Sequence, residues 1–346
     1  MKVLISDKLS QNAVSIFKTK GIHVDYLPEI PREEFKNIIA SYDGLAIRSN
    51  TKVDKEIVDL AKNLKIIGRA GIGVDNIDIN YATSKGIIVM NTPHGNSITT
   101  AEHTIAMILS LARQIPHANT STKEGKWEKS KFIGTEIFGK CLGLIGCGNI
   151  GSIVADRAKG LKMKVCVFDP FLTDDMSNQL GVEKVTLEQL FELSDIISLH
   201  TPLTEKTKYI INLENIFSVK KGAWIINCAR GGLVEEKALF KALECNHIGG
   251  AALDVFEKEP ATSNILFNSD NIIFTPHLGA STIEAQEKVA IQIANQISDY
   301  LLRGSVINSI NTPSITPEDA HILRPYLKLS ELLGSFLGQV KVKSEN

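Results

Sequence analysis

Apolar and polar positions alternate in blocks along the first part of the chain. Short apolar runs predict strands at Lys2–Ile5, His23–Leu27, Gly44–Arg48, Lys65–Gly68 and Gly86–Met90. The segments between them are amphipathic at the helical period and predict helices over Ser10–Lys18, Pro31–Ala40, Asp54–Ala61 and Ile77–Lys85. Because strands and helices alternate, this region predicts βαβ units around a parallel sheet.

The same alternation returns later in the chain, after a long helix pattern at Thr99–Arg113 and a polar segment at Asn119–Lys131. Strands are predicted from near Lys140 and at Lys164–Phe168, Asp195–His200, Ala223–Asn227, Gly250–Val255 and Asn271–Thr275. Helices are predicted at Ile150–Lys159, Leu187–Leu193, Lys237–Leu243, Ile283–Leu302 and Pro317–Val340. The pattern predicts two α/β domains, each built on a doubly wound parallel sheet.

Composition narrows the function classes. Lys and Arg number 38 against 39 Asp and Glu, which gives a net charge of −1. No basic stripe points to nucleic acid, and no apolar run is long enough to cross a membrane. The five cysteines lack metal-ligand spacing, so no metal site is expected, and their use suits a reducing cytoplasm.

A glycine-rich turn in the middle of the chain carries the first chemical signal. Gly146, Gly148 and Gly151 form G-x-G-x-x-G between a predicted strand and a predicted helix, and Asp169 closes the next strand. The glycines permit a tight turn, close approach of a pyrophosphate and close packing of the helix, whose N-terminus attracts phosphate. The full strand–turn–helix–strand context predicts a dinucleotide-binding Rossmann domain.

Three later segments place reactive side chains at strand ends, where parallel sheets bind ligands. Arg230 follows a buried strand and suits a carboxylate, because its guanidinium binds one bidentately. Glu259 follows the strand that ends near Asp254, and His277 follows the last strand. Taken alone, each has a structural alternative: a capping arginine, a solvated acidic loop and a structural histidine. Together they predict a proton-transfer pair, His277 held by Glu259, beside a substrate-binding arginine.

These motifs, with Gly68–Asn76 and Asn91–Ser97, resemble those of the D-isomer-specific 2-hydroxyacid dehydrogenases over about residues 1–310. The resemblance implies a flavodoxin-like substrate domain formed by residues 1–96 and 283–310. A Rossmann domain at residues 97–282 would be inserted into it, with a cleft between the two. Residues 311–346 would form a C-terminal helical extension, or the start of a truncated regulatory region.

The resemblance also assigns individual residues. Arg230, Glu259 and His277 fall on the catalytic set of the family. Cofactor contacts are expected at Gly146, Gly148, Asn149, Ile150, Gly151, Asp169, Thr201, Pro202, Cys228, Ala229, Arg230, Asp254, His277, Gly279 and Ala280. Substrate contacts are expected at Arg48, Ser49, Arg69, Gly73, Val74 and Asn96.

The cofactor expected is NAD rather than NADP, since Asp169 would bind ribose hydroxyls and repel a 2′-phosphate. The implied reaction is oxidation of 3-phospho-D-glycerate to 3-phosphohydroxypyruvate, the first step of serine synthesis, in the cytoplasm. One alternative is a reductase for glyoxylate, hydroxypyruvate or another small 2-keto acid. Another is an NAD(H)-sensing, corepressor-like binding protein. A homodimer or homotetramer formed through residues 97–131, which include Trp127, is also expected.

Overall fold

The computed structural model describes residues 1–315 and 317–340. The chain divides into two compact units, Met1–Asn96 with Ile283–Asn346, and Ser97–Thr282. The described residues of the predicted C-terminal extension are grouped with the first unit, and their assignment as a separate extension stays a prediction. Residues 316 and 341–346 of that predicted extension lie outside the described residues.

The first unit contains a five-stranded sheet in which every neighbouring pair is parallel. Its strands and helices are β1 (Lys2–Ile5), α1 (Gln11–Thr19), β2 (His23–Tyr26), α2 (Arg32–Ile38), β3 (Gly44–Ile47), α3 (Lys55–Leu60), β4 (Ile66–Arg69), α4 (Ile79–Ser84) and β5 (Ile88–Met90). The strand order is β2-β1-β3-β4-β5, which is the flavodoxin-like order. The order reverses between β1 and β3, so ligands are expected beyond the carboxyl ends of these strands.

The same apolar strands bury side chains on both faces, as a covered parallel sheet requires. Leu4, Leu45 and Ile67 pack on one face, while the other face is covered by α1 and by a long helix from the end of the chain. That helix packs closely because β4 carries Gly68, where a Cβ atom would lie 2.7 Å from Ile293 Cγ1.

The chain returns to this unit after residue 282. The long helix α11 (Ile283–Arg303) is followed by a segment that runs along β5, where Ile310 N donates to Val89 O at 2.8 Å. Helix α12 (Pro317–Val340) follows, in agreement with the predicted helix. Its apolar side chains Ile322 and Phe336 are exposed, and their need for a partner surface stays a prediction.

The second unit contains a seven-stranded sheet with entirely parallel pairing. Its elements are α5 (Ser97–Ala112), α6 (Ile115–Lys123), β6 (Cys141–Ile145), α7 (Asn149–Gly160), β7 (Lys164–Phe168), α8 (Asp174–Leu180), β8 (Glu183–Lys184), α9 (Leu187–Leu193), β9 (Ile196–Leu199), β10 (Trp224–Asn227), α10 (Glu236–Glu244), β11 (Gly250–Leu253) and β12 (Ile272–Phe274). The order β12-β11-β10-β9-β6-β7-β8 is the Rossmann order with one further strand at the edge. The predicted fold class, two doubly wound parallel sheets, is therefore confirmed.

Three elements of the second unit were not predicted from the sequence. Helix α6 begins before the predicted polar segment, Asn119–Lys131, and overlaps its start, and a proline in the first turn of α6 suits a helix N-terminus. Helix α8 and the short strand β8 lie between β7 and α9. All three are short, and the two helices are mainly polar, so the apolar period that reveals the longer elements is weak in them.

Among residues 1–315 and 317–340, no helix combines the length and the apolar character that crossing a bilayer requires.

Candidate functional site

The glycine-rich turn connects β6 to α7, at the point where the order of the second sheet reverses. Gly146 has a φ of +96°, and a Cβ atom there would lie 2.7 Å from the His200 carbonyl oxygen. A Cβ atom at Gly151 would overlap the Gly146 carbonyl oxygen, so this residue lets α7 pack against the turn. A Cβ atom at Gly148 would meet nothing within 4 Å. The second glycine thus leaves open space in front of the N-terminus of α7, as a pyrophosphate requires.

Asp169 lies directly after β7, one strand away from this turn. Its two carboxylate oxygens accept backbone hydrogen bonds from Cys147 and Phe171, both at 2.8 Å. An open depression of about 540 Å³ adjoins it and is lined by Phe168, Asp169, Pro170, Lys184, Val185, Thr186, Leu187, Glu188 and Gln189. The carboxylate is thereby fixed beside a space large enough for part of a nucleotide, and it keeps lone pairs for ribose hydroxyls.

The loop after β9 contains the predicted contacts Thr201 and Pro202. The Thr201 hydroxyl donates to the Pro202 carbonyl oxygen at 2.9 Å, which folds the loop on itself. His200 precedes them and was not predicted as a functional residue. Burial lowers the pKa of His200 to about 4, and its Nε2 lies 2.9 Å from Ser198 Oγ. His200 is therefore uncharged at neutral pH, and its backbone carbonyl is the group that a Cβ atom at Gly146 would approach.

The loop after β10 presents Arg230. Asn227 fixes this loop, because its amide donates to the Arg230 carbonyl oxygen at 2.8 Å and its Oδ1 accepts from Ala229 N at 3.0 Å. A Cβ atom at Gly231 would overlap the Phe256 carbonyl oxygen. This glycine lets the arginine loop contact the loop after β11, which carries Glu259. Cys228, in the same loop, is buried, and burial raises its pKa to about 12.

Glu259 and His277 are brought together as predicted from their positions at strand ends. His277 Nδ1 lies 2.7 Å from Glu259 Oε2, while Glu259 Oε1 accepts from Phe256 N at 3.0 Å. Burial alone would raise the pKa of Glu259, but the hydrogen bonds from His277 and Phe256 outweigh it and lower the pKa. The carboxylate is thus charged at neutral pH and accepts a hydrogen bond from the Nδ1–H group of His277. In the neutral imidazole, Nε2 then carries no hydrogen.

The turn after β12 holds His277 in a left-handed conformation with a φ of +55°. Asp254, which has no exposed side-chain surface, organises this turn by accepting from Leu278 N at 2.7 Å and Gly279 N at 2.8 Å. The Thr275 hydroxyl donates to the same carboxylate at 2.6 Å. Burial would raise the pKa of Asp254, but hydrogen bonds, from His103 first, then from Thr275 and the turn, lower it. Ala280 follows this turn and is partly exposed.

The first unit holds the predicted substrate residues. Arg48 and Ser49 follow β3 in a loop fixed by buried Asp7, whose side chain accepts from the backbone of Arg48 and Thr51 and from the Thr51 hydroxyl. Within the described part of the chain, the Arg48 guanidinium has no hydrogen bond or ion pair. Burial lowers the pKa of Arg48 despite the opposing charge of Asp7.

Arg69 ends β4, and Asn76 joins it to the Arg48 loop. Asn76 Oδ1 accepts from Arg69 Nε at 2.9 Å, and its amide donates to the carbonyl oxygens of Arg48 and Thr51 at 2.7 and 2.6 Å. Sequence reasoning did not give Asn76 a role. A Cβ atom at Gly71 would lie 2.6 Å from Arg69 Nη1, so this glycine makes room for the guanidinium.

The remaining predicted substrate residues lie in two other segments of this unit. Gly73 and Val74 lie in the loop after β4 and are partly exposed, so their backbone is accessible. Asn96 is buried at the end of the first segment of this unit.

Comparisons with known proteins relate these features to a family. Residues 105–279 match the family model described as "D-isomer specific 2-hydroxyacid dehydrogenase, NAD binding domain". The D-3-phosphoglycerate dehydrogenase of Synechocystis sp. is 48% identical over 339 residues, which are 98% of this chain and 61% of that protein.

Solved structures agree with this match. The TT0316 protein of Thermus thermophilus superposes with a TM-score of 0.82 at 32% identity, covering 90% of this chain and all of that one. D-lactate dehydrogenase from Aquifex aeolicus, complexed with NAD and lactic acid, gives a TM-score of 0.77 at 28% identity, covering 91% of this chain and all of that one.

The chain spans 61 to 66% of the length of the first four curated relatives that it matches. The family match includes the glycine-rich turn, Asp169 and the strand-end loops, so the second unit is an NAD-binding domain. The chain belongs to the D-isomer specific 2-hydroxyacid dehydrogenase family.

Proposed function

We propose that this protein oxidises 3-phospho-D-glycerate to 3-phosphohydroxypyruvate with NAD. The observation that carries the proposal is the hydrogen-bonded pair of Glu259 and His277, at 2.7 Å, at the carboxyl edge of an NAD-binding sheet. The substrate follows from the relatives at 43 to 48% identity, which are D-3-phosphoglycerate dehydrogenases. The product would enter serine synthesis, and a cytoplasmic location fits this role.

Each part of the proposed reaction can be assigned to a residue of this chain. When bound, NAD would supply the hydride acceptor for the carbon that bears the substrate hydroxyl. His277 Nε2 takes the hydroxyl proton, because Nδ1 already carries the hydrogen that it shares with Glu259. The resulting imidazolium is stabilised by the charged Glu259 carboxylate. Arg230 binds the substrate carboxylate and polarises the forming carbonyl group.

The residues of the second unit fit NAD in several places. The open space at Gly148 accommodates the pyrophosphate at the N-terminus of α7, and Asp169 accepts hydrogen bonds from the adenosine ribose. The other cofactor contacts are Gly146, Asn149, Ile150, Gly151, Thr201, Pro202, Cys228, Ala229, Asp254, Gly279 and Ala280. A carboxylate at residue 169 repels a 2′-phosphate, which favours NAD over NADP.

The cationic cluster of the first unit supports a phosphorylated substrate. Arg48 is partly desolvated and has no ionic partner among the described residues, so an anionic group would restore the interactions that burial removes. Arg69, Ser49, Asn96 and the backbone of Gly73 and Val74 complete the proposed substrate contacts.

The competing function within the same class is reduction of a small 2-keto acid such as glyoxylate or hydroxypyruvate. The structural similarity to D-lactate dehydrogenase and to a glyoxylate reductase favours it. These substrates carry no phosphate. A substitution of Arg48 therefore distinguishes the two functions, because it should affect only a phosphorylated substrate. A binding protein that only senses NAD(H) would show no turnover.

The decisive experiment is a substrate panel followed by NADH absorbance. The protein should oxidise 3-phospho-D-glycerate with NAD, and NADP should support a lower kcat/KM. Arg48→Gln should raise KM for 3-phospho-D-glycerate about 10- to 100-fold, the range for losing a hydrogen bond to a charged group. It should leave KM for glyoxylate or D-lactate unchanged.

Lys52→Gln is the matched control for this variant, since it removes a positive charge from an exposed residue four positions away. An equal effect of both variants would indicate general electrostatics rather than a phosphate contact. Turnover of unphosphorylated acids alone would establish the reductase function, and no turnover of any 2-hydroxy acid would favour the binding protein.

Two substitutions on α7 test the cofactor turn. Gly151→Ala should raise Kd for NADH at least 10-fold, because the added methyl group overlaps the Gly146 carbonyl oxygen and displaces the turn. Gly160→Ala introduces the same methyl group where nothing lies within 4 Å, and it should leave Kd unchanged. NADH fluorescence titration measures both. Equal Kd values for the two variants would argue against the proposed pyrophosphate position.

The proton-transfer pair makes two predictions for the rate. His277→Ala should lower kcat by about 10²- to 10⁴-fold, the usual contribution of a general acid–base. Glu259→Gln should shift the acidic limb of the kcat/KM profile to lower pH, because the protonated imidazole loses its charged partner. A Glu259→Gln profile that superposes on the wild-type profile would refute the pairing.

We further propose a homodimer or homotetramer formed through residues 97–131. Trp127 in this segment is 88% exposed, and an aromatic side chain of this size is usually covered in an interface. Trp127→Ser should weaken association in sedimentation experiments. Phe171→Ser removes an equally exposed aromatic residue outside the segment and should leave association unchanged. If the Trp127→Ser protein sediments with the same oligomeric mass as the wild type, this surface is excluded as the interface.

A further inference from the structure

A partly buried contact of His103 lies beneath the turn that carries His277, and the proposed reaction does not use it directly. His103 on α5 places Nε2 3.1 Å from Thr275 Oγ1 and 3.3 Å from Asp254 Oδ1. Its side chain is 19% exposed, so most of the ring is enclosed. Thr275 directly follows β12, and Asp254 directly follows β11. The imidazole therefore joins α5 to the ends of two strands.

The direction of these hydrogen bonds follows from the donors available. Thr275 has one hydroxyl hydrogen, which it gives to the Asp254 carboxylate at 2.6 Å. The hydroxyl can then only accept at its contact with His103, and the carboxylate accepts in every contact. Nε2 of His103 must therefore carry a hydrogen, which it donates to Thr275 Oγ1 and Asp254 Oδ1.

The conformation of His277 depends on the groups that His103 contacts. Asp254 binds the backbone of Leu278 and Gly279, and its own carbonyl oxygen accepts from His277 N at 2.8 Å. A φ of +55° at a residue other than glycine is sparsely populated and persists only where the surroundings hold it. The ring of His277 is aimed by this turn.

We propose that His103 is a positioning residue for the dehydrogenase reaction: by donating to Thr275 and Asp254, it holds the turn that aims His277 at Glu259 and at the substrate. The catalytic part of this proposal rests on the proposed function. The titratable groups around the turn include Glu259, which accepts a hydrogen bond from the His277 imidazole, and Asp254 and His103 beneath the turn. The buried thiol of Cys228 also faces Asp254, and burial together with the charge of Asp254 raises the pKa of that thiol.

Three variants separate positioning from packing. His103→Gln keeps an N–H donor that reaches the place of Nε2, whereas His103→Met has similar size and no donor. His247→Met is the matched control, because His247 also makes one hydrogen bond in this unit, with Nε2 2.9 Å from the Val219 carbonyl oxygen. It precedes β11 and thus lies near the amino edge of the sheet, away from the His277 turn.

The kinetic expectation is a loss of kcat with little change in cofactor binding. His103→Met should lower kcat about 10-fold, within the ~10²-fold that a 1 Å misplacement of a catalytic group can cost. KM for NAD should change less than kcat, because the proposed pyrophosphate and ribose contacts at Gly148 and Asp169 lie on other loops. The acidic limb of kcat/KM should move to lower pH as the Glu259–His277 hydrogen bond weakens. His103→Gln should restore most of the rate, and His247→Met should resemble the wild type.

A second readout does not depend on turnover. The ring ¹⁵N resonances of the eight histidines can be recorded on the full chain with NAD bound, with His277 assigned by substitution. His103→Met should shift the His277 resonances, and His103→Gln should leave them close to the wild-type values. If His103→Met does not fold, Thr275→Val removes the hydroxyl between His103 and Asp254 and should also shift the His277 resonances.

These measurements distinguish the two proposals. A protein without dehydrogenase activity but with the expected ¹⁵N shifts would refute the proposed function and retain the positioning role. An active protein in which His103→Met changes neither the pH profile nor the His277 resonances would overturn the positioning role. A loss of kcat in His103→Met that His103→Gln does not restore would also overturn it.

Discussion

A carboxylate that is removed from water must have its oxygens bound by donors, and Asp254 shows how much structure this requirement can organise. Its side chain has no exposed surface. The donors that satisfy it come from the Thr275 hydroxyl, from the backbone of Leu278 and Gly279, and from the His103 imidazole. An unpaired buried charge would cost several kcal/mol, so these groups are held in place together. The turn that presents His277 is therefore fixed by electrostatics as well as by packing.

The first unit uses the same arrangement on a smaller scale. Asp7 is 2% exposed, and its oxygens bind the backbone and hydroxyl groups of the loop after β3. Asn76 joins this loop to Arg69 through one acceptor and two donors. In both units a carboxylate that takes no part in the proposed proton transfer fixes the loop that carries a proposed functional residue. Parallel sheets favour this arrangement, since their strand ends bring several loops to one edge.

The sequence predicted the sheets and the reactive side chains because both leave local signals. Apolar runs mark the strands, and the spacing of Gly146, Gly148 and Gly151 marks the cofactor turn, where each glycine answers a separate steric need. The elements it missed leave weaker signals. Helix α8 has a Thr173 N-cap, acidic residues in its first turn and Gly181 at its C-cap, so capping rules rather than apolar periodicity would have revealed it. Its neighbour β8 has only two residues.

Residues such as His103 and Asn76 could not be predicted, for a different reason. Their roles depend on partners that are distant in sequence: His103 lies 172 positions from Thr275, and Asn76 lies 28 positions from Arg48. A single histidine on a helix forms no sequence motif. Its role can be recognised only in the tertiary structure, where acceptors lie next to its N–H group. The limit of sequence reasoning is therefore the hydrogen bond between distant residues. A strand end predicts where a reactive group will lie, but only the donors and acceptors around it determine how rigidly that group is held.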